Sequence, residues 1–153
     1  GMTGGQLTPT TPEEAIASTS PYGNFEHPFN LPYLAESCGA VYVARWTTYH
    51  VTQMKKAMKE APLKKGFSFV EVISPCPTLY GRRNRLGDSL DEMKTYKTRS
   101  VIKNGADTKE VDLGMTGSIV VGKFVDRERT TYQDAMEAFY SRKLGNRYVR
   151  ASQ

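Results

Sequence analysis

Cysteine is scarce in this sequence of 153 residues, which contains only two, Cys38 and Cys76. Two cysteines do not build a disulfide framework, and neither stands in a CxxC pair. No metal site is therefore complete within the sequence, and a reducing compartment is favoured. We predict a cytoplasmic protein.

Long apolar runs are also missing. No stretch approaches the ~20 apolar residues that a membrane-spanning helix needs. The N-terminus has neither the basic start nor the apolar stretch of a signal peptide. We therefore predict no membrane partner and no export.

Histidine occurs only twice, at His27 and His50, which gives no basis for a Ser-His-Asp arrangement. His27 lies in a loop flanked by proline, and His50 begins a predicted helix. Each is better suited to capping or hydrogen bonding than to catalysis.

Positive charge is in excess, with 21 Lys and Arg against 16 Asp and Glu and a formal net charge of +5. Hydrophobic and charged contents of 39% and 24% are ordinary for a folded globular chain. A basic chain raises the possibility of nucleic-acid binding, but no aromatic-basic RNA motif or zinc-finger spacing is present. We expect basic helix faces or an acidic partner, and no nucleic acid. A nucleic-acid binder stays open as an alternative that would require salt-sensitive binding.

A strand-helix-strand unit is predicted early in the chain. Residues 40–46 are rich in β-branched and aromatic side chains, and residues 66–74 are almost continuously apolar, as in a strand covered on both faces. Between them, Val51, Met54 and Met58 recur at helical spacing and are expected to pack in the core. Such a unit implies a right-handed crossover and a parallel sheet.

Helix caps and a further strand complete the predicted elements. Asn30 is an expected N-cap for a short helix that stops at Gly39, and Asp88 is an expected N-cap for a later one. Residues 118–125 are predicted to form a strand. Thr131 is an expected N-cap for a last helix with one apolar stripe: Tyr132, Ala135, Met136, Phe139 and Tyr140.

These elements predict an α/β protein with a mainly parallel sheet flanked by helices. We interpret residues 1–153 as a single partial domain. Within it, residues 1–30 form a loop-rich opening segment, residues 31–80 a βαβ-type core, and residues 118–145 the final strand and helix. Residues 102–116 are polar and contain glycine, so an irregular connection is expected there.

One candidate for chemistry follows the second predicted strand, in SPCPTLYGRRN at residues 74–84. Ligands of open α/β sheets gather at the carboxyl ends of strands. Pro75 and Pro77 hold Cys76 in a restricted direction, which suits a nucleophile or a metal ligand, although a buried inert cysteine is the alternative. The residues that follow could receive an anion or an acidic partner, although such a run is ordinarily a solvated surface: Tyr80, Arg82, Arg83 and Arg85.

A second candidate is the opening stretch GMTGGQ. Gly4 and Gly5 lack Cβ atoms, so their amides can approach a bound group closely. Adjacent glycines also occur in ordinary turns. The stretch alone does not decide between a ligand-binding loop and such a turn.

Several motifs occur in the same order as in a known family: GMTGGQLTPTTP, SPYGNF, CGAVYVARWT, KKGFSFVEVISPCPTLYGRRNRLGD and GSIVVGKFVDRE. Over nearly the whole sequence they resemble the thiamine-diphosphate-binding β subunit of 2-oxoacid:ferredoxin oxidoreductases. SPCPT followed by YGRRN resembles the 2-oxoglutarate branch, also called 2-oxoglutarate synthase, because the branched-chain branch usually departs after CPT. The resemblance implies the C-terminal half of such a subunit, and thus the C-terminal part of a thiamine-diphosphate-binding fold.

The resemblance also implies cofactors. Met2, Thr3, Gly4, Gly5 and Gln6 match the family loop beside thiamine diphosphate. The family's Mg²⁺ ligands come from a GDG motif and a later Asn, neither of which is present. Cys76 matches the last of four cysteines that hold a 4Fe–4S cluster, whereas Cys38 is expected to be structural. Some relatives carry Lys where Gly4 stands, so this position is a candidate for substrate preference.

The implied reaction is the oxidative decarboxylation of 2-oxoglutarate to succinyl-CoA and CO₂, with reduction of ferredoxin. The expected partners are an α subunit, with γ and δ subunits in some assemblies, together with ferredoxin, 2-oxoglutarate and coenzyme A. We expect this chain alone to be inactive and to lack the cofactors. The alternatives are another 2-oxoacid, such as pyruvate or a branched-chain acid, or a non-catalytic interaction module of the same fold.

Overall fold

A computed structural model of the protein describes residues 4–149. Its sheet has four strands in the order β2-β1-β4-β3: β1 (Tyr42–Thr47), β2 (Ser68–Ile73), β3 (Ser100–Ile102) and β4 (Ile119–Asp126). Its α-helices are α1 (Leu31–Ser37), α2 (Val51–Glu60), α3 (Ser89–Arg99) and α4 (Tyr132–Leu144).

The sheet is mainly parallel. β1 pairs with β2 in parallel and β3 pairs with β4 in parallel, whereas β1 and β4 are antiparallel. The helix α2 connects β1 to β2, so the predicted βαβ unit is confirmed. The predicted α/β class is confirmed as well.

The central strand β1 supplies most of the core. All six of its residues are buried. Tyr42, Ala44 and Trp46 belong to one hydrophobic cluster, and Val43 belongs to a second cluster on the opposite face. This alternation follows from the two-residue repeat of a strand, and it places helices on both faces of the sheet.

A buried ion pair crosses the parallel strands. Arg45 is 1% exposed, and its Nε donates to Glu71 Oε2 on β2 at 2.5 Å. Its Nη1 donates to the carbonyl of Val111, which lies in the connection before β4. The guanidinium therefore ties β1, β2 and this connection together.

The predicted helix caps are confirmed. Asn30 Oδ1 accepts from the Tyr33 amide at 3.1 Å, and Asp88 forms a capping box with Asp91. Thr131 Oγ1 accepts from the Asp134 amide at 3.1 Å. Each cap satisfies amides that have no partner within the helix itself.

Two predictions about burial are wrong. On α2 the buried residue is Ala57, with Met54 partly buried beside it, while Val51 and Met58 are 58% and 49% exposed. The strand β2 is half-buried at every residue rather than covered on both faces. Both differences have one cause, because β2 is an edge strand among the described residues and no further strand extends the surface beneath α2.

The last predicted elements are found with two differences. β4 and α4 are present, but α4 has no buried residue, so its apolar stripe is exposed. The strand β3 was not predicted because three residues give too short a pattern. Residues 103–118 are otherwise irregular except for a 3₁₀ turn at Thr108–Glu110, as expected.

Between residues 4 and 149, no helix is both long enough and apolar enough to cross a membrane.

Candidate functional site

The carboxyl ends of β1 and β2 meet at one edge of the sheet because the two strands are parallel. The Thr48 amide donates to the carbonyl of Ile73 at 2.9 Å, and this bond holds the ends of the two strands side by side. Cys76 follows β2 directly, so it lies at the edge where ligands of such sheets bind.

The backbone around Cys76 is fixed on both sides. The Cys76 amide donates to Glu92 Oε2 at 3.1 Å, and the Cys76 carbonyl accepts from the Gly81 amide at 2.8 Å. This second bond closes the turn Pro77–Gly81. A Cβ on Gly81 would lie 2.9 Å from Glu92 Oε1, so a glycine is needed for this close approach. The half-buried Cys76 is thus carried by a braced turn.

The opening loop lies against this turn. Of the loop residues singled out from the sequence, Met2 and Thr3 lie outside the described residues, and Gln6 is exposed. Gly4 and Gly5 have φ values of +76° and +70°, in the left-handed region that favours glycine. A Cβ on Gly5 would lie 3.0 Å from the Leu79 Cβ, so Gly5 packs directly on the Cys76 turn.

Asn84 binds the opening segment to the residues that follow Cys76. Its Oδ1 accepts from the Ile16 amide at 2.7 Å, and its Nδ2 donates to the carbonyls of Ile16 at 3.0 Å and Tyr80 at 2.9 Å. The Ser18 amide in turn donates to the Gly5 carbonyl at 2.8 Å. The two stretches chosen from the sequence are therefore neighbours in the fold.

Sequence reasoning missed the roles of Asn84 and Glu92. Asn84 closes the quoted YGRRN motif, and a side-chain amide that can bond a neighbouring backbone was the available signal. Glu92 gave no signal, because an acidic residue in the first turn of a helix is ordinary. In the structure Glu92 is only 5% exposed.

The phenols of Tyr96, which is buried, and Tyr80, which is half-buried, lie near enough to Glu92 for its charge to act on them. Burial, with a smaller contribution from the negative charge of Glu92, raises the pKa of Tyr96 to about 12. The same two causes raise the pKa of Tyr80. Both side chains therefore stay protonated at neutral pH and can donate a hydrogen bond.

The other candidate residues lie on the surface, except His50, which is buried just after the carboxyl end of β1. His27 is exposed and pairs with Glu13 at 3.0 Å, whereas His50 is buried and bonds Thr47 Oγ1 at 2.9 Å. Burial lowers the pKa of His50. Cys38 is exposed at the C-cap of α1. Solvent also surrounds the arginines of the motif: Arg82, Arg83 and Arg85.

The residues present agree only in part with the implied cofactors. Among residues 4–149, nothing lies within 4 Å of a Cβ placed on Gly4, so a bound group has room to approach its backbone from this side. Within residues 4–149, no group of three or more His, Cys, Asp and Glu side chains could hold a metal ion. A Mg²⁺ ion or an iron–sulfur cluster would thus need ligands beyond those that the structure describes.

The Asn84 contacts lead to a test. Asn84→Ala removes three hydrogen bonds and leaves the Ile16 backbone without its partners. We expect the free energy of unfolding, measured in urea, to fall by about 1–3 kcal/mol, because backbone polar groups lose their hydrogen-bond partners. Amide exchange should accelerate across residues 4–20 while β1 stays protected. Arg83→Ala, an exposed neighbour, is the control, and equal exchange rates in the two variants would contradict the assigned role.

The chain is similar to proteins of known family. The family described as "Thiamine pyrophosphate enzyme, C-terminal TPP binding domain" matches residues 1–72. The 2-oxoglutarate synthase subunit KorB of Methanothermobacter marburgensis is 40% identical over 95% of this chain and 50% of the relative. The same subunit of Methanocaldococcus jannaschii is 45% identical over 89% of this chain and 50% of the relative.

A solved structure shares the fold. It is a 2-oxoglutarate:ferredoxin oxidoreductase from Magnetococcus marinus, with a TM-score of 0.71 and 24% identity over 95% of this chain and 50% of that one. The chain thus spans about half the length of the curated relatives it matches. The chain is similar over nearly all of its own length to about half of a KorB-type 2-oxoglutarate synthase subunit.

Proposed function

We propose that this chain is the C-terminal half of the thiamine-diphosphate-binding β subunit of a 2-oxoglutarate:ferredoxin oxidoreductase. The complete enzyme converts 2-oxoglutarate, coenzyme A and two oxidised ferredoxins into succinyl-CoA, CO₂, a proton and two reduced ferredoxins. The names of the KorB relatives and the bound 2-oxoglutarate, coenzyme A and succinyl-CoA of the Magnetococcus marinus enzyme support this activity.

One observation carries the proposal most directly. The Gly4–Gly5 loop and the Cys76 turn, which are far apart in the sequence, pack together at the carboxyl edge of the parallel strands. This edge is where the fold class places ligands. Loop and turn also lie within two of the five motifs that carry the resemblance to the family.

In this proposal the backbone of residues 2–6 faces thiamine diphosphate, and Met2, Thr3, Gly4, Gly5 and Gln6 form that wall of the site. The cofactor supplies the carbon that bonds to the 2-oxo group, and the protein positions it. Mg²⁺ is bound by residues outside those described. The left-handed backbone at Gly4 and Gly5 supports a close approach of peptide groups to the cofactor.

We also propose that Cys76 is one thiolate ligand of a 4Fe–4S cluster. The other cysteine ligands of this cluster lie elsewhere in the complete protein. The bond from its amide to Glu92 and the closure of the turn by Gly81 support this role, since a braced ligand keeps a cluster at a constant distance from its electron donor. A thiolate-bound cluster suits a reducing compartment, and we propose the cytoplasm.

Partner subunits follow from the same proposal. KorB is named as one subunit of its enzyme, and we expect an α subunit, with γ and δ subunits in some assemblies, and ferredoxin as the electron acceptor. The preference for 2-oxoglutarate is likewise a proposal. Two relatives that match 51% of this chain are named as β subunits of 2-oxoacid:ferredoxin oxidoreductases, without a particular 2-oxoacid.

The activity itself can be measured. A complete β subunit that contains this sequence, assembled with its partner subunit, should reduce ferredoxin with 2-oxoglutarate and coenzyme A, at least about tenfold faster than with pyruvate or a branched-chain 2-oxoacid. The 153-residue chain alone, supplied with all cofactors, should give no turnover. Turnover by the chain alone would refute the half-subunit assignment. A preference for another 2-oxoacid would show that 2-oxoglutarate is not the substrate.

Gly5 provides a test of the cofactor loop. Gly5→Ala introduces a Cβ that meets Leu79 at 3.0 Å where φ is +70°, so the loop must move. We expect affinity for thiamine diphosphate in the complete enzyme to fall by about tenfold, since one strained residue costs on the order of 1.4 kcal/mol. Calorimetric titration of the complete enzyme with thiamine diphosphate measures this affinity.

Gly117→Ala is the matched control for Gly5→Ala, because Gly117 has φ +82° and nothing within 4 Å of an added Cβ. The double variant Gly5→Ala with Leu79→Ala should recover part of the affinity by making room. Unchanged binding by Gly5→Ala would remove the loop from the cofactor site.

Cys76 is tested by Cys76→Ser in the complete subunit. Serine is a poor ligand for this cluster, so we expect iron content to fall and the paramagnetic resonance signal of the reduced cluster to be lost. Cys38→Ser, at the exposed end of α1, is the control and should keep both. Normal iron and a normal signal in Cys76→Ser would exclude Cys76 as a ligand.

A further inference from the structure

Two clefts lie at the end of the sheet opposite to Cys76, where the amino end of β1 meets the carboxyl end of β4. The larger cleft has a volume of about 560 Å³ and the smaller one about 500 Å³, and Lys65 and Arg129 line both. Volumes of this size are typical of small-molecule sites. Neither cleft is lined by the Cys76 turn or the opening loop, so both are separate from the site described above.

Two carboxylates near these clefts are already paired with cations. Asp126 lies 2.5 Å from Lys64 and 2.6 Å from Lys123. Glu60 accepts from the Tyr42 hydroxyl at 3.0 Å and lies 3.5 Å from Lys123. The bonds from Lys123 and Lys64 lower the pKa of Asp126, so its negative charge is kept and is compensated within this network. These carboxylates are therefore committed to their own lysines.

Lys65 and Arg129 carry two positive charges that this network leaves without a counter-charge. Neither forms an ion pair within residues 4–149, whereas the neighbouring Arg127 pairs with Glu36 at 3.4 Å. The guanidinium of Arg129 makes only a long hydrogen bond, from its Nη1 to the carbonyl of Gly39 at 3.5 Å. A cleft that is lined by charge of one sign attracts a ligand of the opposite sign.

The smaller cleft is the one in which these cations meet no carboxylate. Glu128 lines the larger cleft, but among the described residues no acidic side chain lines the smaller one. A Cβ placed on Gly39 would lie 3.1 Å from Arg129 Nη1, so the guanidinium rests against the backbone that follows α1. The smaller cleft thus has two cations, one of them placed by its contact with Gly39.

We propose that the smaller cleft binds a phosphate group, as the free ion or as the head of a small phosphomonoester, between Lys65 and Arg129. A phosphomonoester carries about −1.5 to −2 charges at neutral pH, which matches two uncompensated cations. Arginine offers phosphate a planar fork of donors, and lysine adds a point charge. Phe67, 49% exposed, lines the same cleft and can contact an organic body. This inference goes beyond the proposed function and does not depend on it.

Two fluorinated probes test the site, 4-fluorophenyl phosphate and 4-fluorobenzoate, because they share a ring and differ in negative charge. They are titrated into the complete protein that contains this sequence, and binding is followed by fluorine NMR. Excess thiamine diphosphate is present, so that the phosphate-binding groups of the proposed cofactor site are occupied. We expect the phosphate probe to bind at least about tenfold tighter, and less tightly as salt is added. Equal affinities, or no binding of the phosphate probe, would overturn the proposal.

Charge-removing variants localise the binding. Lys65→Ala and Arg129→Ala should each weaken the phosphate probe by about tenfold, since each removes one charge-assisted contact. Both side chains are exposed, so the fold should be kept. Lys59→Ala is the matched control, because Lys59 is an exposed cation of α2 that lines neither cleft. Unchanged affinity in both cleft variants, or an equal loss in Lys59→Ala, would overturn the assignment.

Competition with inorganic phosphate distinguishes the two sources of the group. Inorganic phosphate should displace 4-fluorophenyl phosphate, because both present the same anion to Lys65 and Arg129. Equal affinities would support the free ion as the occupant. Tighter binding of the ester, lost in Phe67→Ala, would support an organic phosphomonoester. Failure of inorganic phosphate in large excess to displace the probe would refute a phosphate site.

Discussion

The buried pair of Arg45 and Glu71 determines where this protein can have a site. The pair joins the neighbouring strands β1 and β2 at 2.5 Å in a place where Arg45 is 1% exposed. Removing one partner would leave a charge without compensation, which costs about 3–5 kcal/mol. The guanidinium also bonds the carbonyl of Val111. The contact therefore reinforces the parallel pairing of β1 and β2, and with it the edge that carries Cys76.

A single amide then assembles the edge. Asn84 bonds the backbone of Ile16 in both directions, across 68 residues of sequence. The opening segment has no helix or strand between residues 4 and 30, and its backbone hydrogen bonds are irregular ones, such as those from Ser18 to Gly5 and from Asn24 to Ala15. The side chains of Asn84 and Asn24 add to them, the latter by donating to the carbonyl of Thr11 at 2.8 Å. A long loop is thereby held in a defined place beside Cys76.

Interactions between residues close in the sequence could be predicted from the sequence, whereas contacts between distant residues could not. The caps Asn30, Asp88 and Thr131 were predictable because an N-cap acts within three residues. The βαβ unit was predictable from its periodicity. The bond from Glu92 to Cys76 was not, since it joins residues 16 apart through a turn of unusual geometry. The exposure of Met58 was missed because periodicity defines a helix face but not the width of the sheet beneath it.

The half-buried state of β2 connects these errors with the proposed function. Residues 66–74 are apolar enough for a strand covered on both faces, yet β2 is an edge strand of this sheet. The stripe of α4 is likewise apolar and exposed, with Tyr132 78% and Phe139 47% exposed. Apolar surface of this extent is unfavourable in water. Under the proposed function, the remainder of a subunit twice this length covers these faces, so the sequence pattern reflects the complete protein.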